Sequence, residues 1–111
     1  MRTRIIAGSI AVAGIVAAVP ALAATPVFKG SVGPGFVISM AQKPSKAGKV
    51  TIVVSDKSSI HNFHLVGPGV NVQTSVSATG TKTFKLTLKK GTYTFYCDPH
   101  KSIMHGSFKV K

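Results

Sequence analysis

Residues 92–106 read Thr92-Tyr93-Thr94-Phe95-Tyr96-Cys97-Asp98-Pro99-His100-Lys101-Ser102-Ile103-Met104-His105-Gly106. The first six alternate strictly. Tyr93, Phe95 and Cys97 fall on one side of an extended chain, and Thr92, Thr94 and Tyr96 fall on the other. Pro99 then breaks the pattern, and side chains of a different chemistry crowd into the loop that follows. The stretch therefore predicts a half-buried β-strand that delivers a thiol to the inner side of its end.

The same period of two recurs along the chain. Val50, Ile52 and Val54 alternate with Lys49, Thr51 and Ser55, and Phe84, Leu86 and Leu88 alternate with Lys85, Thr87 and Lys89. Phe108 and Val110 alternate with Ser107, Lys109 and Lys111. Over Ile60 to Leu65, the pattern places His61, Phe63 and Leu65 on one face, with Asn62 and His64 on the other. Turn signals lie between the runs at Gly33-Pro34-Gly35, Pro44 to Gly48, Gly67-Pro68-Gly69, Gly80 and Gly91. No stretch after residue 24 holds a helical apolar period. Short strands at this spacing predict an all-β fold, a small Greek-key β-sandwich. Its core is expected from Val50, Ile52, Val54, Phe63, Leu65, Phe84, Leu86, Leu88, Phe95, Phe108 and Val110.

The first residues read as an address. Met1-Arg2-Thr3-Arg4 is a basic head, Ile5 to Val19 is uncharged and apolar, and Ala21-Leu22-Ala23 gives the small-x-small pattern a signal peptidase cuts. Fifteen apolar residues are short for a membrane-spanning helix, which needs about 20. The sequence thus divides into a signal peptide over 1–23 and one domain over 24–111. The domain is expected to be a monomer in the periplasm or another extracytoplasmic space, with no stable membrane insertion after cleavage. Loss of Arg2 and Arg4 leaves twelve lysines against two aspartates, so the net charge falls from +12 to +10.

The composition excludes several functions. Asp56 and Asp98 are the only acidic residues in the chain. A two-carboxylate hydrolase or a site for a hard cation is therefore out of reach. One cysteine permits no internal disulfide, and a lone thiol in an oxidising compartment is buried, reactive or bound to a metal. The neighbours of Cys97 point to metal. Cys97, His100, Met104 and His105 lie within nine residues, and His61 sits on the core-facing side of another strand. Two imidazoles, a thiolate and a weak axial thioether form the ligand set of a blue-copper electron-transfer site. Cys97 and His100 can converge across the loop closed by Pro99, and Met104 has enough chain to return as a cap. His61 arrives from elsewhere, so the fold fixes the geometry. His64 and His105 are expected to face solvent.

With Ser59-Ile60-His61-Asn62-Phe63-His64-Leu65, then Tyr96-Cys97-Asp98-Pro99-His100 and Met104-x-Gly106, the chain resembles the cupredoxins over about residues 26 to 111. The plastocyanin and amicyanin branch is the nearest in pattern. The resemblance implies one type 1 copper ion, with His61, Cys97 and His100 as equatorial ligands and Met104 as the axial one. It also implies that Asn62 ties the two ligand loops together, and that Pro99 removes an N–H that would otherwise reach the sulfur. Three residues separate His100 from Met104, one fewer than in the plastocyanin loop and one more than in the amicyanin loop. The axial distance and the redox potential depend on that loop.

The reading is an exported carrier of one electron, cycling Cu(I)/Cu(II) between redox proteins, and not an enzyme, since every ligand position is filled. Two alternatives share the ligands: an envelope protein that delivers copper as cargo, and a zinc site using Cys97 and the two histidines. The positive charge is expected to steer the domain to an acidic redox partner through the loops around Gly67-Pro68-Gly69 and the edge of His100. Nucleic acid is not an expected partner: there is no Arg after residue 4, no recognition helix and no aromatic stacking motif.

Overall fold

A computed structural model describes residues 24–111; the leader read over residues 1–23 lies outside the described residues. Eight strands are present: β1 (Val27–Val32), β2 (Ile38–Met40), β3 (Gly48–Asp56), β4 (His64–Gly67), β5 (Val70–Gln73), β6 (Gly80–Leu88), β7 (Gly91–Tyr96) and β8 (His105–Val110). One 3-10 turn, Asp98–His100, interrupts them. They form two four-stranded sheets, in the orders β2-β1-β3-β6 and β5-β4-β7-β8. The all-β sandwich expected from the alternation is what the chain adopts. Among the described residues no helix is long and apolar enough to cross a membrane.

All pairings are antiparallel except β1 with β3, which run parallel with Val27 opposite Thr51 and Val32 opposite Asp56. Apolar side chains of alternate residues meet between the sheets. Val32, Met40, Val50, Ile52, Val54 and Leu88 come from one sheet; Leu65, Val70, Tyr93, Phe95, Phe108 and Val110 come from the other. Phe84 and Leu86 are only half-buried, packed at the margin of this core.

Three strands, β1, β2 and β5, have no counterpart in the alternation singled out above. In β1 the inward positions are Phe28, Gly30 and Val32, so the apolar period is broken by a glycine. Gly30 is there for space. A Cβ on it would stand 2.9 Å from the Phe63 ring. Phe63 in turn stacks on Phe95, with ring centroids 5.4 Å apart.

The two ends of the sandwich differ. The C-terminal ends of β3 and β7 and the start of β4 lie at one pole, since Asp56 pairs with Gly80 and His64 pairs with Tyr96. The start of β3, the end of β6, the start of β7 and the end of β8 lie at the other, where Gly48 pairs with Leu88 and Gly91 with Val110. This second pole is held by Tyr93. Its ring is fully buried, and its hydroxyl accepts the Lys89 N–H (2.8 Å) while lying 3.0 Å from the Lys89 carbonyl and 3.2 Å from that of Pro68.

Candidate metal centre

The first pole carries the chemistry. β7 ends at Tyr96, and Cys97 is the next residue, fully buried on the core side where the alternation placed it. Asp98 opens the 3-10 turn with Pro99 next, and the loop then closes on itself. The His100 carbonyl accepts the N–H of Met104 at 2.9 Å, and the Cys97 N–H donates to the Met104 carbonyl at 3.0 Å. That last bond puts the loop directly into the β7–β8 pair. Gly106 follows because a Cβ there would run into the Phe95 ring.

His61 reaches the same point from the segment between β3 and β4. The alternation placed it in a strand, but β4 begins only at His64, and residues 61–63 are irregular and all buried. Asn62, expected to point away from the core, is therefore 1% exposed. Its amide explains why. Nδ2 donates to the Thr74 carbonyl (3.2 Å) and to Asp98 Oδ2 (2.7 Å), and Oδ1 accepts the Asp98 N–H (2.7 Å). The Thr74 hydroxyl accepts the Phe63 N–H and donates to buried Asp56. A polar network so saturated is permissible at this depth.

Three donor atoms converge. His61 Nδ1 and His100 Nδ1 are 3.0 Å apart, and Cys97 Sγ lies 3.7 Å from the first and 3.6 Å from the second. The point equidistant from all three is about 2 Å from each, close to typical metal–nitrogen and metal–sulfur bond lengths. The donor set therefore fits one soft or borderline ion. Among the described residues this is the only group of three or more His, Cys, Asp or Glu side chains close enough to share a metal. Met104 is 1% exposed and belongs to the core cluster at this pole. His61 Nε2 is buried and meets no hydrogen-bond partner among the described residues. Gly33, at φ 74°, brings the β1–β2 loop beside it: a Cβ there would stand 2.8 Å from Ser58 Cβ and in ordinary contact, 3.5 Å, with His61 Cδ2.

The loop also supplies a residue the sequence reading did not single out. Phe36 stands edge-on to both imidazoles, its centroid 5.0 Å from that of His61 and 4.8 Å from that of His100, while remaining 56% exposed. Val37, Ile60 and Ile103 are also exposed, and all three belong to loops at this pole. Nothing in an isolated Gly33-Pro34-Gly35-Phe36 marks that phenylalanine; it gains its place only when β1 and β2 pair.

The remaining histidines differ from each other. His105 is exposed as expected, opening β8. His64 is not a free surface residue. Its Nδ1 lies 3.0 and 3.1 Å from the Asp98 carboxylate oxygens, and its Nε2 lies 2.6 Å from Asn71 Oδ1. Asp98 is subject to opposed effects. Burial raises its pKa, but hydrogen bonds from His64 and Asn62, and then the charges of His64 and Lys101, more than offset this and hold it below the ordinary carboxyl value. The turn Gly67-Pro68-Gly69 is misplaced by the sequence reading. It follows β4 at the pole beside Tyr93 and Lys89, about 17 Å along β7 from Cys97. Strand polarity decides this, and turn composition alone does not reveal it.

Comparison with known proteins agrees with this geometry. The family model for copper binding proteins of the plastocyanin/azurin family matches residues 36–111. No curated protein sequence matches. Among solved structures, reduced rusticyanin superposes with a TM-score of 0.62 at 22% identity, covering 78% of this chain and 79% of that one. Rusticyanin from Thiobacillus ferrooxidans gives 0.58 at 21%, covering 78% and 77%. An amicyanin variant in its Cu(I) state gives 0.54 at 17%, covering 77% and 82%. At these identities the likeness is one of fold, and it extends across more than one branch.

Proposed function

We propose, because the chain belongs to the plastocyanin/azurin family of copper-binding proteins, that it is an exported one-electron carrier whose copper would be held by His61, Cys97 and His100, with the Met104 thioether as a weak fourth donor. The family is one of electron-transfer proteins and not of enzymes. The observation that carries the site assignment is the convergence of one sulfur and two Nδ1 atoms on a point about 2 Å from each.

Bound there, copper supplies a Cu(II)/Cu(I) couple. The chain supplies rigidity and insulation. Cys97 and His61 are wholly buried, so water is kept from the sulfur and from one imidazole. The Asn62–Asp98 bonds and the Cys97–Met104 backbone bond fix the two loops that carry the donors. Donors that do not move between oxidation states keep the reorganisation cost low. His100 is half-buried beneath exposed Phe36, and this edge is the proposed exit for the electron. Exposed Phe36, Val37, Ile60 and Ile103 make the pole an apolar landing face for a redox protein. Deep burial of two donors also favours a retained ion over copper as cargo.

The leader features, a basic head, an apolar run of fifteen residues and Ala21-Leu22-Ala23, support export and cleavage after Ala23, leaving a monomer in the periplasm or an equivalent compartment. The deciding experiment is a visible spectrum of the mature protein with Cu(II), then with ascorbate, then reoxidised. An intense band that bleaches and returns, and that is absent in Cys97→Ser, is the expected result. A colourless protein that binds copper or zinc tightly would overturn electron transfer.

A further inference from the structure

The positive charge is not where a carrier would use it to greet an electron-transfer partner. Both aspartates lie at the metal pole, Asp56 at the end of β3 and Asp98 in the ligand loop. Lys46, Lys49, Lys89, Lys90, Lys109 and Lys111 lie at the opposite pole, and all six are exposed with no acidic side chain among them. Lys57, Lys82 and Lys101 are the lysines of the metal pole, where two carboxylates offset them. An acidic partner steered by this field would meet the wrong end of the molecule, more than 15 Å by strand rise from the donors, on the order of five residues of β7.

We infer that this lysine-rich pole is a docking face for an anionic lipid bilayer, which leaves the metal pole turned outward. Three observations select the bilayer as occupant. First, the six charges encircle the ends of both sheets and do not form one pocket. Five of them border two hollows, one of about 320 Å³ lined by Lys46 and Lys49 together with Lys43, the other of about 450 Å³ lined by Lys90, Lys109 and Lys111. The Lys111 N–H donates to the Ser45 carbonyl and joins their rims. Second, every charge is a lysine. Ammonium groups act as point charges on headgroup phosphates, whereas a protein interface favours arginine and aromatic anchors, and this face has no arginine. Third, β1 begins at this pole, and the described chain starts here, three residues before Val27. On the proposed export, the end of the domain that follows the apolar run Ile5–Val19 is this one, the first to emerge at the membrane. The placement follows from sheet topology and is independent of which metal the other pole holds.

The test is co-sedimentation of the copper-loaded protein, purified as the secreting cell processes it, with vesicles of phosphatidylcholine alone and of phosphatidylcholine with phosphatidylglycerol. At low salt the protein should bind only the vesicles containing phosphatidylglycerol, and binding should fall steeply as salt rises. Replacing Lys46, Lys49, Lys109 and Lys111 together by Gln should weaken binding by about 100-fold or more. Replacing Lys57, Lys82 and Lys101 by Gln should weaken it by less than about tenfold. The blue band, read in the same samples, reports the metal pole separately and should be unchanged in the four-lysine variant. Equal losses from the two variants, no binding to either vesicle, or equal binding to both vesicles would each overturn the proposal. The last would assign the contact to an apolar anchor.

Discussion

Asn62 and Asp98 clasp each other across 36 residues of sequence, amide to carboxylate and peptide N–H to amide oxygen, each bond 2.7 Å long. One partner adjoins His61 and the other adjoins Cys97. The pair is thus the shortest polar link between the two segments that bring the donors together.

Replacing Asn62 by Ala removes three hydrogen bonds at a buried position and leaves the Thr74 carbonyl and the Asp98 peptide N–H without them. A loss of about 2–4 kcal/mol in unfolding free energy is expected. Urea titration of the copper-free protein measures it. A loss under about 0.5 kcal/mol would show that the clasp follows from the fold and does not hold it.

Asp98 gives an acid limb. Burial would raise its pKa, and the hydrogen bonds and charges of His64, Asn62 and Lys101 bring it below the ordinary 3.8. A carboxyl depressed in the folded state contributes stability above its unfolded value, and that contribution fades as pH falls toward the folded value. The stability gap between the native protein and Asp98→Asn should therefore be full at neutral pH and shrink below about pH 4. Thermal melts across that range check this; a gap that stays constant in acid would mean the carboxylate charge plays no part.

How much of this was readable in advance divides by range. Cys97, His100 and Met104 lie in one loop, and their chemistry shows in eight residues of text. His61 is recoverable only because Cys97 and His100 give a core-facing histidine a use. Alternation puts Asn62 on the wrong side, because over residues 61–63 no strand exists to impose the parity. β1 was hidden by Gly30, whose purpose is a ring contributed by Phe63. Phe36 was out of reach, since exposure and proximity to the histidines are both products of a loop folded over from the other sheet.

Phe36 should act as a lid on the two imidazoles. In Phe36→Ala the fold should lose no more than about 1.5 kcal/mol, because the side chain is half in solvent and aromatic edge contacts are worth little more. Copper should nevertheless pass to a strong chelator several times faster. Stopped-flow stripping of the blue band measures the rate, and an unchanged rate would remove Phe36 from the metal pole's defences.

Met104→Leu should keep a coloured site, since the sulfur and both imidazoles remain, but raise the reduction potential through loss of a weak donor to Cu(II). Protein-film voltammetry reads the shift directly. An unmoved potential would reassign the buried Met104 side chain to packing alone.

The Tyr93 hydroxyl, buried beneath the turn that bears Lys89 and Lys90, has a kinetic consequence. The Lys89 amide sits in an exposed turn but donates its hydrogen to an oxygen anchored in the core. It cannot exchange with solvent deuterium by a local flicker of the loop, because freeing it means withdrawing an aromatic ring from between the sheets. That amide should exchange on the timescale of the innermost strands, making one residue of the charged pole a clock for opening of the whole sandwich.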